Sequence, residues 1–150
     1  MNELINWLKS LFWQTKDIPS PRVDIPAPYY DASREAFIAP TQPPASVSPI
    51  WISNSMEPLI DVGHAVLVSS NPEYLSALKV GSIIIYEQDN KPIIHSIIEI
   101  GDDDKGWFCV AQGLNNAIPD PWKIRHEQIK QVVIGVIFTP DFALVATGDD

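Results

Sequence analysis

Two hydroxyls stand close together in Ile52-Ser53-Asn54-Ser55-Met56-Glu57-Pro58. A serine becomes a nucleophile when a base lies within hydrogen-bond reach, a third group orients that base, and donors wait for the oxyanion. The chain offers one candidate for each role. His95 interrupts the apolar run Pro92-Ile93-Ile94-His95-Ser96-Ile97-Ile98. In an alternating strand, Ile93, His95 and Ile97 share one face, and Ile94, Ser96 and Ile98 share the other. A histidine among isoleucines needs a partner, and a backbone carbonyl would serve it as well as a catalytic one. Asp120 lies between Pro119 and Pro121. Those rings fix the backbone around it, which suits a carboxylate that holds an imidazole and equally suits a plain turn. Ser53 precedes Ser55 by two residues, so on a strand it shares its face. Its hydroxyl could donate to an oxyanion together with the Ser55 backbone N–H.

These residues need elements to carry them. Leu4, Trp7, Leu8, Leu11 and Phe12 recur at helical spacing and predict an amphipathic helix over residues 1–17. Its stripe would pack on its own domain, on a partner protein or on a membrane surface. Eight prolines punctuate residues 18–49, which read as a stiff extended arm with no regular helix or central strand. That arm is either a linker or a second grip on a partner. From Pro49 the pattern changes to short runs rich in Val and Ile, bounded by Gly, Pro, Asn or Asp. "HAVLVSS", "GSIIIYEQ", "KPIIHSIIEI", "GWFCVAQG" and "KQVVIGVIFTP" read as strands, and "EQDNKP" and "GDDDKG" as hairpin turns. "NPEYLSAL" holds about one helical turn. No βαβ alternation appears, so residues 50–140 are expected to be mostly antiparallel β, closing into a small barrel or a coiled sheet. Residues 141–150 form an acidic tail.

Composition narrows the function. The net charge of −9 opposes nucleic-acid binding and attachment to anionic lipid. Cys109 is the sole cysteine, so no intrachain disulfide forms, and the three histidines lack ligand spacing. Neither a metal nor another cofactor is implied. No run of 18 apolar residues is present to span a bilayer, so a soluble or peripherally attached protein is expected. His64 and His126 read as surface residues. Asp102, Asp103 and Asp104 read as a solvated turn, with a cation site second. Trp7, Trp13, Trp51, Trp107 and Trp122 read as packing residues, because no basic groove accompanies them.

Taken in order, "SNSMEPLIDVGHAVLV", "LKVGSIIIYEQDNKPIIHSIIEI" and "QGLNNAIPD" resemble type I signal peptidases over about residues 51–137. The order is that family's: a Ser-Met-x-Pro box, a strand after a Gly, a strand carrying the base, and a Gly-x-Asn-Asn loop ending in Asp. Bacterial members place a lysine at the base; the endoplasmic-reticulum and archaeal branch places a histidine, as here. The resemblance implies Ser55 as nucleophile, His95 as general base, Asp120 as its orienting acid and Ser53 as an oxyanion donor. It also implies the family's β-rich fold and an endopeptidase cutting a polypeptide after small residues, at Ala-x-Ala sites. Four positions depart from the family's pattern: Asn54 replaces a Gly, Ser96 an Arg, and Leu114 and His64 each an Asp. The last two take carboxylates away from the site. Two other functions fit the same chain. A peptidase-like domain could serve as a structural module of a larger assembly, such as a virus particle or tail, with helix and arm gripping neighbours. Or it could process itself, at small residues in "PASV" or "IAPT".

Overall fold

The computed structural model describes residues 19, 21, 29–38, 44–50 and 54–139. The helix expected over 1–17, the serine-box residues 51–53 and the tail 141–150 lie outside them. The described chain is mostly β with little helix. A two-stranded ribbon, β1 (Tyr29–Asp31) and β2 (Ala36–Ile38), precedes a six-stranded sheet. That sheet contains β3 (Ser46–Pro49), β4 (Ala65–Ser69), β5 (Ile83–Gln88), β6 (Lys91–Asp103), β7 (Gly106–Gln112) and β8 (Ile129–Ile137). Its order is β3-β4-β8-β5-β6-β7, and every neighbouring pair is antiparallel. With β3 and β7 at its edges the sheet is open. The expectation of a mostly antiparallel β domain therefore holds, and among the described strands no pairing closes it into a barrel.

The extended arm contributes more pairing than its prolines suggested. Residues 29–39 carry no proline, and this gap holds β1 and β2, joined through a turn in which Asp31 Oδ1 accepts from Ser33 N at 2.9 Å. Pro49 ends β3, on an edge strand, where a missing N–H costs no ladder bond. The sheet thus begins at Ser46, ahead of the boundary expected at residue 50.

Alternation along the strands sends side chains to two cores. Ile84 and Tyr86 of β5, Ile97 of β6, Cys109 and Ala111 of β7 and Val132 of β8 form one, with Tyr74 and Ile124. Ile83, Val66, Val68 and Val133 form the other, with Ile50, Met56 and Ile60. Neighbours such as Ile83 and Ile84, or Val132 and Val133, point to opposite cores. This explains why the strands read as continuous apolar runs: both faces of the sheet are covered. Each such side chain contributes roughly 1.5–3 kcal/mol on full burial.

Three local features fix the register around His95. The turn Asp89-Asn90 has both residues at positive φ (51° and 60°), as a two-residue hairpin of the right-handed twist requires. It pairs Gln88 with Lys91, Tyr86 with Ile93 and Ile84 with His95. A bulge between Ile97 and Glu99 then inserts Ile98, so β6 pairs β5 with its first half and β7 with its second. A short helix, α1 (Pro72–Ser76), starts with Pro72 in its first turn while the Asn71 side chain accepts from Glu73 N at 2.9 Å. It seats Tyr74 in the first core.

Candidate active site

Ser55 sits in a turn whose neighbours anchor it. Met56 and Ile60 are 1% exposed in the second core, and Ile60 N donates to Met56 O at 3.0 Å. From the other side Asn115 grips the same segment twice. Its backbone N–H donates to Ser55 O at 2.8 Å, and its side chain donates to Asn54 O at 3.0 Å. The serine backbone is therefore fixed by apolar burial below and an amide clamp above.

His95 comes from the middle of β6, where the strand is paired on both sides or about to be. Its Nε2 lies 3.1 Å from Ser55 Oγ. Its Nδ1 lies 2.8 Å from Asp120 Oδ2 and 3.0 Å from Oδ1. Both side chains of this pair are almost enclosed, at 8% and 9% exposure. Asp120 reaches this position because the segment after β7 folds back along it. Asp120 N donates to Ala111 O at 2.9 Å, and Cys109 and Ile124 exchange backbone hydrogen bonds at 2.9 and 2.8 Å. The flanking prolines are exposed and leave the carboxylate facing inward.

Two further residues complete the set, and neither was singled out as functional in the sequence. Tyr86 O–H donates to Asp120 Oδ2 at 2.7 Å, and Trp122 Nε1–H donates to the Tyr86 hydroxyl oxygen at 3.2 Å. Tyr86 is fully buried. Burial, and next the bond to Asp120, push its phenol well above the ordinary value, so it remains a donor. The signal that finds it is the hairpin register. A two-residue turn at Asp89-Asn90 places Tyr86 opposite Ile93, on the same face as His95 and diagonal to it.

With Asp120 as a carboxylate that accepts from Tyr86, its contact with His95 Nδ1 is an accepted N–H. The Nε2 lone pair then faces Ser55 Oγ, the arrangement in which an imidazole removes a serine proton. Gly113 closes the site. A Cβ there would stand 2.6 Å from Ser55 O, 2.9 Å from His95 Nε2 and 2.9 Å from Asn116 Nδ2. Only a residue without a side chain fits between the Ser55 carbonyl and the His95 ring.

The structure thus joins Ser55, His95 and Asp120 in one hydrogen-bonded chain. Ser53 lies outside the described residues. Of the residues set aside, His126 is exposed and stacks on Trp107 with ring centroids 3.8 Å apart. His64 is not the open surface residue expected: it is half-buried, its Nδ1 accepts from Asp61 N at 3.0 Å, and its ring edge meets Phe138. The acidic run is also more than a turn, because β6 continues through Asp103, which binds Lys123 Nζ at 2.8 Å and Arg125 at 3.0 Å. Those two partners, Arg125 first, hold its carboxyl well below the usual range. Burial pushes the Cys109 thiol up to about 12, which keeps it protonated and unreactive. Among the described residues no group of three or more His, Cys, Asp or Glu could hold a metal ion. Nor is any helix among them long and apolar enough to cross a membrane. No family model, curated protein or solved structure matches the chain.

Proposed function

We propose that this protein is a serine endopeptidase of the type I signal peptidase kind, in the branch with a histidine base. It would act on a polypeptide with small residues at the cleaved bond. The observation that carries this is the continuous chain of hydrogen bonds from Ser55 Oγ to His95 at 3.1 Å and from His95 to Asp120 at 2.8 Å. The three come from separate segments, two of them brought together across 40 residues. An antiparallel sheet carrying these motifs in this order supports that reading.

The chemistry is acyl transfer. Ser55 Oγ attacks the peptide carbonyl as His95 Nε2 takes its proton, and Asp120 holds the resulting imidazolium through Nδ1–H. The Ser53 hydroxyl and Ser55 N–H are the oxyanion donors in this scheme. His95 then gives its proton to the leaving amine, the C–N bond breaks, and water releases the acyl group by the same route. Loss of Ser55 or His95 costs about 10⁴-fold or more in rate, and loss of both costs little extra. Cleavage of another chain is favoured over self-cleavage at "PASV", because Ser46 and Val47 are paired with Val68 and Leu67 in the sheet.

The test uses full-length protein and its Ser55→Ala variant, each incubated with an Ala-x-Ala peptide while cleavage and intact mass are followed. Turnover by the wild type alone supports the proposal. Loss of mass without added peptide points to self-processing. Intact mass and no turnover, with or without detergent or lipid, leaves the structural module of an assembly as the better account.

A further inference from the structure

A groove of about 490 Å3 opens beside the triad. Gly113, whose missing side chain lets Ser55 and His95 approach, forms part of its wall, and so does Ser96, the neighbour of the base. The groove therefore lies next to the segments that carry Ser55 and His95, with Gly113 between them. Three large apolar side chains from three different segments line it while remaining open to solvent. They are Val80 at 38% exposure, Ile98 at 40% and Leu114 at 42%. Ile98 is there because the bulge in β6 turns it out of the ladder.

Polar groups in the groove are turned onto the protein. Ser96 Oγ donates to Gly81 O at 3.4 Å, and Gln112 Nε2 donates to Asn116 O at 2.7 Å. Among the described residues, no charged side chain lines the groove. Most of what remains for a ligand is apolar surface. Pro19, from the proline-rich segment, adds to the apolar wall. An apolar side chain of a polypeptide is the kind of group such a lining suits, and the volume exceeds what an alanine fills.

We propose that this groove is a substrate subsite for one large apolar side chain, of leucine or phenylalanine type, close to the scissile bond. This rests on the peptidase function proposed above and adds a second selectivity to the small-residue requirement. It also gives a role to Leu114, a departure from the family pattern: an apolar residue where an acid is common.

The experiment uses peptides with one Ala-x-Ala site, in which alanine, leucine or aspartate is placed in turn at three positions on either side of the cleaved bond. The quantity read is the ratio of kcat/KM for leucine to that for alanine, within each protein, so a general loss of activity cancels. In the wild type, one position should favour leucine by on the order of 10- to 100-fold, with aspartate poorest. Leu114→Asp and, independently, Ile98→Asp should bring that ratio to about one, while Val47→Asp, an exposed change on the far edge strand, should not. A ratio near one at every position in the wild type, or a ratio unmoved in both groove variants, overturns the subsite. If the wild type cleaves nothing, the Ser55→Ala protein is titrated with the leucine and alanine peptides by NMR. Preferential binding of the leucine peptide that Leu114→Asp abolishes would uphold the groove and defeat the peptidase function. Equal or absent binding would overturn the groove as well. All three substituted positions are already exposed, and a thermal melt confirms that each variant is folded.

Discussion

Gly113→Ala is the smallest change that should disable the site without touching a triad residue. The added Cβ would meet the Ser55 carbonyl at 2.6 Å and His95 Nε2 at 2.9 Å, where ordinary contact begins at 3.4 Å. Relief therefore requires about 0.8 Å of movement at the carbonyl and about 0.5 Å at the imidazole. Neither neighbour is free to move. Asn115 N holds the Ser55 carbonyl at 2.8 Å, and Asp120 holds the ring from behind at 2.8 Å. Displacement would carry the Ser55–His95 contact from 3.1 Å towards or past the limit at which a hydrogen bond retains value. A misplacement approaching 1 Å costs about 10²-fold in rate, and overpacking costs about 1–3 kcal/mol of stability. The assay is kcat on an Ala-x-Ala peptide beside a thermal melt. The expected result is a folded protein, modestly destabilised, with kcat reduced about 100-fold. A folded Gly113→Ala protein that keeps kcat within about threefold would refute the argument, because the close approach of Ser55 and His95 would then be unnecessary.

Tyr86→Phe removes a hydrogen bond to a charged acceptor, a contact of about 1.5–3 kcal/mol, and should lower kcat by on the order of tenfold. A purely structural role would leave the low-field proton resonance of His95 Nδ1–H in place, whereas loss of the Tyr86 donor to the shared carboxylate should shift it. The triple replacement His95→Leu, Asp120→Leu and Tyr86→Phe should abolish cleavage while leaving stability unchanged or raised by about 1–4 kcal/mol, as seen when buried pairs give way to packed apolar groups. A fall in melting temperature by chemical denaturation and heat alike would contradict that. Asp103 has a folded-state pKa depressed by Arg125 and Lys123. Its contribution is therefore present above the unfolded value, near 3.8, and is lost as pH falls through the folded one. The melting difference between wild type and Asp103→Asn should be constant from pH 7 to about 5 and shrink progressively in stronger acid. A difference that grows on acidification would reverse the assigned sign.

The strands were legible because both faces of the sheet are covered, which writes long apolar runs such as "SIIIY" and "QVVIGVI" into the chain. The turn at Asp89-Asn90 was legible because its conformation demands residues that tolerate positive φ. Ser55, His95 and Asp120 were nameable by type, yet only the fold could bring them together, since the contacts span 40 and 25 residues. Tyr86 escaped notice because it stands in an apolar run, where a tyrosine reads as one more packing residue. Applying the hairpin register would have placed it beside His95. The bulge at Ile98 left no such trace. An inserted residue in a run of isoleucines changes nothing in composition, and it shows only as a slip between Ile97–Ala111 and Glu99–Val110. The short strands within the proline-rich segment were hidden for another reason. Proline excludes a central strand, but it permits an edge such as β3 and leaves proline-free intervals such as 29–39 unconstrained.

The energetics of the buried polar set bear on whether this sheet does chemistry or only packs. His95, Tyr86 and Asp120 all lie on or against a face otherwise lined by Ile84, Ile97, Ala111 and Val132. An aliphatic face needs none of them. Each costs desolvation, and each is compatible with the core only because the others satisfy it: Trp122 donates to Tyr86, Tyr86 to Asp120, Asp120 accepts from His95, and His95 meets Ser55. Among the described residues no buried side-chain nitrogen or oxygen lacks a partner. Such a set is all or nothing, since removing one member strands the rest. A module selected for packing gains more from apolar side chains at these positions. A polar chain through an apolar core, ending at a half-buried serine with a glycine beside it, is a costly way to fill space, and that cost supports the proposed activation of Ser55 over a packing role.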